Sequence, residues 1–145
     1  MSTVPEALVH LLLGYFGTGA VPDYGRTLEI FDQGPYHELR ERLASNWTLT
    51  DLTDLNYDLG WRWWIERPSD GPIDLRVSFV GPYYLMLDEV GSPTHEGAIE
   101  TALEAAGLHT IHRQILEREV TIWSPEVGGS LYEYLFQFDS GLPWG

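Results

Sequence analysis

Between Leu59 and Phe79 the chain alternates apolar and polar residues. Leu59, Trp61, Trp63 and Ile65 occupy every second position, with Arg62, Trp64 and Glu66 between them. After Pro68-Ser69-Asp70-Gly71, the residues Ile73, Leu75, Val77 and Phe79 alternate with Asp74, Arg76 and Ser78. A period of two sends neighbouring side chains to opposite faces of a strand. Pro, Ser, Asp and Gly together are turn residues. These runs predict an antiparallel hairpin, with the Trp61 and Leu75 sets inward and Asp74, Arg76 and Ser78 outward. A face this rich in Trp must be covered by a second layer. Trp64 falls on the opposite face, where either a helix covers it or it stands open as a binding anchor. Gly81-Pro82 is a break, and Tyr83 to Asp88 predicts a third strand.

Helical spacing surrounds this hairpin. Thr3 and Glu6 have capping-box spacing ahead of an apolar stripe of Val4, Ala7, Leu8, Leu11, Leu12 and Tyr15. Val9 and Leu13 make that helix apolar most of the way round, so it should be heavily covered. Residues 17–25 read as loop, and 27–32 fit either a helix or a short strand. Gly34-Pro35 opens a helix with Tyr36, Leu39 and Leu43 inward. Leu49, Leu52 and Leu55 recur every third residue, which predicts a short helix over 50–56. Ser92-Pro93-Thr94 starts another, with Ile99, Ala102, Leu103 and Ala106 on one face, Gly107 as left-handed cap and Leu108 packing back. Residues 112–123 read as a long strand. Residues 130–138 fit both periods, and the Ser130/Glu133 spacing favours helix. Together these elements predict a single α+β domain. Its mainly antiparallel sheet has about four strands, with N-terminal helices and further helices packed on it.

The 145 residues carry 22 acids against eight Arg and no Lys, a formal charge of −14. Half of that sits in residues 51–100, where ten acids face three Arg. Such a charge opposes direct binding to nucleic acid or anionic membrane and favours capture of a basic protein. With no Cys, disulfides and thiolate chemistry are excluded. The apolar run 7–16 is too short to span a bilayer and lacks a basic leader, so a cytoplasmic location is expected.

Motifs of catalysis and metal binding are weak. His109 and His112 lie three apart at an expected helix-to-strand boundary, without HExxH or an evident third ligand. His10 sits in the apolar helix and reads as a core or boundary residue. Neither GxSxG nor a phosphate-binding loop is present, and Gly17-Thr18-Gly19 stands alone. No catalytic residue, metal or cofactor is therefore assigned. Two acidic sets stand out instead. Asp51, Asp54 and Asp58 would share one face of the expected 50–56 helix. Glu96, Glu100 and Glu104 recur every fourth residue, where like charges cost a helix about a few tenths of a kcal/mol per pair. These six acids, with Trp64, are the candidate partner-binding residues.

Leu12-Leu13-Gly14-Tyr15-Phe16, Tyr24-Gly25, Glu38-Leu39-Arg40 to Leu43, and the leucine spacing up to Leu59-Gly60 resemble the N-terminal half of small bacterial immunity proteins. These are cytoplasmic antidotes to polymorphic or contact-dependent inhibition toxins. The resemblance implies a non-enzymatic inhibitor that binds one cognate toxin, and the chain's acidity points to a basic one. Two other readings follow from composition. One is a small-ligand protein or enzyme with an aromatic pocket among Trp61, Tyr83, Tyr84, Trp123 and Tyr134. The other is an adaptor that dimerises through its N-terminal helix.

Overall fold

The computed structural model describes residues 4–124, 127–138 and 140–145. Thr3 lies outside them, so the first expected capping box does too. The order of elements is α1 (Glu6–Phe16), α2 (Arg26–Gln33), α3 (His37–Asn46), β1 (Thr48–Asp51), β2 (Gly60–Glu66), β3 (Ile73–Ser78), β4 (Tyr83–Leu87), α4 (Gly97–Ala105), β5 (His109–Thr110), α5 (Arg113–Leu116) and α6 (Leu131–Leu135). The architecture is α+β, as the periods predict. The sheet has five strands in the order β1-β2-β3-β4-β5 and is mixed, because β5 runs parallel to β4 while the other pairs are antiparallel.

The expected hairpin forms in register, with Trp63 opposite Leu75 and Ile65 opposite Ile73. Its apolar set is fully enclosed: Trp63, Ile65, Ile73, Leu75 and Val77 are at most 1 % exposed. Helical elements supply the cover. Phe31 of α2, Tyr36 just before α3 and Phe79 all pack on the Trp61 ring. Gly60 is required where β2 begins, because a Cβ there would collide with the Val77 carbonyl. Helix α1 buries Leu8, Leu12, Tyr15 and Phe16. Phe16 packs edge-on against both Trp123 and Tyr134, and so ties the first helix to the last.

Five expectations change. The helix expected from Ser92-Pro93-Thr94 begins only after Glu96, because Pro93 bridges Leu87 and the Thr94 N–H donates to Met86 O along β4. Residues 48–51 form an edge strand rather than a helix, because Thr48, Leu49, Thr50 and Asp51 pair with Glu66, Ile65, Trp64 and Trp63. Leu52 and Leu55 are exposed instead of buried. Residues 112–123 are not a strand: α5 takes 113–116, and Leu116 and Val120 reach the core from an irregular path. Asp74, Arg76 and Ser78 do not face water, since they are 5, 6 and 1 % exposed. The second face is covered over β3 by α6, whose Leu135 carbonyl accepts the Ser78 hydroxyl at 2.6 Å.

Other expectations hold. Helix α4 ends at Gly107 (φ +85°) with Leu108 fully buried behind it, and of the two forms open to residues 27–32 the chain takes the helix. Helix α6 starts in a capping box: the Glu133 N–H donates to Ser130 Oγ at 3.3 Å, and the Ser130 N–H donates to Glu133 Oε1 at 2.9 Å. Among the described residues, no helix is long and apolar enough to cross a membrane.

Candidate interaction surface

A charged network lies beneath α6 on the second face of the sheet. Register places Arg62 opposite Arg76, and Trp64 opposite Asp74. Asp74 grips both guanidinium groups. Arg76 donates to it at 3.3 and 3.0 Å, and Arg62 at 3.3 and 3.1 Å. Arg76 also donates to the Tyr132 hydroxyl and, at 2.9 Å, to Gln137 Oε1. Burial pushes the Asp74 carboxyl upward, but the two Arg partners outweigh it and hold its pKa below the usual value. The Tyr132 hydroxyl is pushed up to about 12, chiefly by burial. A buried charge this well paired is tolerated because nearly every donor has an acceptor.

Asp58 is a further buried acid beside the Arg pair. It is 3 % exposed, and its Oδ2 accepts the Asp54 N–H at 2.8 Å. Burial raises its pKa by more than the Asp54 N–H and the Arg76 and Arg62 charges lower it. The Asp58 N–H donates in turn to the Asp54 carbonyl at 2.7 Å. On the other side, Leu59 N–H donates to Phe136 O at 2.8 Å, and Phe138 N–H to Tyr57 O at 2.7 Å. The β1–β2 loop is thus fastened to residues 136–138 at the margin of the charged network.

This braced loop and its fastening segment carry exposed apolar side chains. Leu52, Leu55, Tyr57 and Phe138 are 42, 38, 59 and 43 % exposed. Phe138 packs edge-on against Tyr24 at 4.9 Å. Tyr24, Leu55, Tyr57 and Phe138 border a groove of about 230 Å³ with Asp58 and Leu59 in its lining. Scattered apolar residues are ordinary on a surface, whereas a clustered, aromatic-rich set marks an interaction site. Asp51 and Asp54 flank it. Each closes a local turn, Asp51 by accepting the Thr53 N–H at 2.9 Å and Asp54 the Asn56 N–H at 3.0 Å. Both are exposed residues, Asp51 with Arg40 at 4.0 Å, so acids stand beside the apolar group.

The expected site residues therefore separate. Asp51 and Asp54 meet on this loop. Asp58 turns inward and serves as its brace, because the stretch is a strand and turn instead of a helix with one common face. Trp64 stands apart from that loop, on the second face. It is half-buried and lines a groove of about 490 Å³ with Thr48, Glu66, Arg67, Pro68 and Pro72. The Glu stripe also divides. Helix α4 begins after Glu96, which is its N-cap and accepts from Ala98 N–H at 3.2 Å and Ile99 N–H at 2.8 Å. Glu100 accepts the Glu96 N–H at 3.1 Å and pairs with His95 at 2.9 Å. Satisfying the helix terminus accounts for both acids, and Glu104 alone is a plainly solvated charge.

The histidines do not converge. His10 is exposed beside Glu6 rather than at the expected core or boundary position, and His112 caps α5 by accepting the Gln114 N–H. Among the described residues, no group of three or more His, Asp or Glu side chains is placed to hold a metal. The expected aromatic-pocket residues separate: Trp61 packs among Phe31, Tyr36 and Phe79, Trp123 and Tyr134 pack on Phe16, and Tyr84, next to Tyr83 on β4, lines a groove of about 300 Å³ with His95, Glu100 and His112. Sequence reasoning missed Leu52, Leu55, Tyr57 and Phe138 as surface residues. One signal was present: in Asp51-Leu52-Thr53-Asp54-Leu55-Asn56-Tyr57-Asp58 each apolar residue is bordered by Asp, Asn or Thr, which favour local turns over helix interiors. Compared with protein-family models, curated proteins and solved structures, the chain matches none.

Proposed function

We propose that this chain is a non-catalytic binding protein that captures a basic protein partner, an immunity-type inhibitor of a bacterial toxin. The observation that carries the reading is the braced loop, where Leu55 and Tyr57 stand exposed in one groove with Phe138, and Leu52 stands exposed between Asp51 and Asp54. Apolar and aromatic side chains supply the contact energy of such a surface, and the acidic rim supplies orientation and speed. The rest of the charge distribution supports it. Arg62 and Arg76 are consumed by Asp74, Arg67 is turned onto the Gly71 and Asp70 carbonyls at 2.8 Å, and Arg113 lies near Glu117. With 22 acids against eight Arg the surface charge is predominantly negative, although Arg40 approaches the rim acid Asp51 at 4.0 Å.

Basic toxins that act on nucleic acid need a positive surface for phosphates, and an acidic protein seated there blocks them without chemistry. The test is capture, at low and high salt, of the protein encoded beside this gene on the immobilised chain. Tight capture that weakens steeply with salt is the expected result. Salt-insensitive capture, or none, removes the electrostatic mechanism.

A further inference from the structure

The second face and the free edge of β1 meet beside Trp64, and this junction takes the proposed binding reading further. Leu52 N–H donates to Arg62 O at 2.7 Å, continuing the register in which Thr50 faces Trp64 and Thr48 faces Glu66. Hydrogen-bonded pairs alternate along an antiparallel ladder. Thr48 and Thr50 therefore point their backbone groups at β2, while Leu49 and Asp51 point theirs away from the sheet. Strand β1 is terminal in the sheet, and among the described residues nothing hydrogen-bonds to those outward groups. The opposite edge is different. There β5 pairs with Tyr83 and Tyr84, and the next stretch of β4 is covered where Thr94 N–H donates to Met86 O at 2.9 Å and Pro93 bridges Leu87.

Strand β1 keeps an unbroken register without Pro, and what guards its edge is its shortness and Asp51, a charge that repels an acidic strand and admits a basic one. We propose that an extended, basic segment of the protein partner adds as a strand to β1, hydrogen-bonding to Leu49 and Asp51. Its side chains opposite Thr48 and Thr50 lean over the second face into the groove of Trp64 and Glu66. A long cationic side chain can lie over the indole and reach the Glu66 carboxylate, because Arg67, the cation in the groove's own lining, is turned onto the Gly71 and Asp70 carbonyls. Charge selects this occupant over a second copy of the chain, because two copies would each bring −14 to the junction.

This inference rests on the reading of a basic partner, so its test separates the two. Isotope-labelled protein is titrated with a short synthetic peptide of alternating Arg and Val, followed by amide and indole resonances. The expected result is movement of the Leu49 and Asp51 amides and the Trp64 indole, with hydrogen exchange at the two amides slowed by about tenfold or more. The same peptide N-methylated at alternate residues, so that it cannot donate to β1, should leave all three unmoved. Unmoved Leu49 and Asp51 amides, or equal binding of the N-methylated peptide, would overturn the edge pairing. Movement confined to Leu55, Tyr57 and Phe138 also overturns it, while leaving the basic-partner reading intact. Failure of the capture experiment above counts against that reading itself.

Discussion

Asp74 and Arg76, two residues apart on one face of β3, form a buried fork-to-fork ion pair with both side chains under a tenth exposed. Arg62 completes it from the neighbouring strand. Removing one member of such a group leaves a charge with no solvent to receive it. Asp74→Asn should lower the unfolding free energy by about 3–5 kcal/mol, read from urea midpoints at constant m-value. A loss no larger than that of an ordinary surface substitution would mean that the network is not closed in solution.

Asp58 and Asp74 predict opposite pH responses. Asp74 has a lowered folded pKa, so its stabilisation is present above the ordinary Asp value and is lost as pH falls through the lowered one. Asp58 has a raised folded pKa, so the fold gains stability as pH falls through that raised value toward the ordinary one. Asp58→Asn removes the gain. The difference in unfolding free energy, wild type minus Asp58→Asn, should therefore rise as the solution is acidified from neutral pH into the carboxylate range. A difference independent of pH would show that Asp58 titrates alike in both states.

The hairpin was legible because its pattern is local: Trp61, Trp63, Ile65 and Leu75 alternate strictly, and a turn sequence joins them. Helix α6 was legible from Ser130 and Glu133 for the same reason. What could not be read depends on distant partners. Arg76 and Ser78 looked outward because the residues that cover them, Tyr132, Leu135 and Gln137, lie more than fifty positions further on. Leu49 looked helical with Leu52 and Leu55 until β2 recruited residues 48–51 to the sheet edge. Val120 reaches the core from an irregular segment, so its spacing to Leu116 and Ile122 imitated a strand. The candidate surface was half visible, in Asp51 and Asp54, because acids announce themselves. Its apolar half was hidden because an exposed Leu and a buried one look the same in sequence.

Glu96 and Glu104 share a helical spacing but not a role. Glu96 satisfies two N–H groups at the start of α4, and Glu104 satisfies none there. Glu96→Ala should cost about 1 kcal/mol of stability, while Glu104→Ala should stay within about 0.5 kcal/mol of wild type. Thermal or urea unfolding of the two variants side by side decides it. Equal effects would return both residues to one solvated stripe.

Leu55 and Tyr57 provide the direct test of the braced loop. Their side chains are exposed, and the Phe138 N–H is received by the Tyr57 backbone carbonyl, which truncation of the ring leaves in place. Leu55→Ala and Tyr57→Ala should therefore leave stability within about 0.5 kcal/mol of wild type. If these residues anchor the partner, each should weaken binding by about 2 kcal/mol, roughly thirtyfold. Asp54→Asn should act differently. As a rim charge it should slow association and flatten the salt dependence more than it speeds dissociation. Association and dissociation rates measured by surface plasmon resonance against the captured partner separate the two effects. Wild-type affinity in both Ala variants would move the interface elsewhere on the molecule, however well the loop is braced.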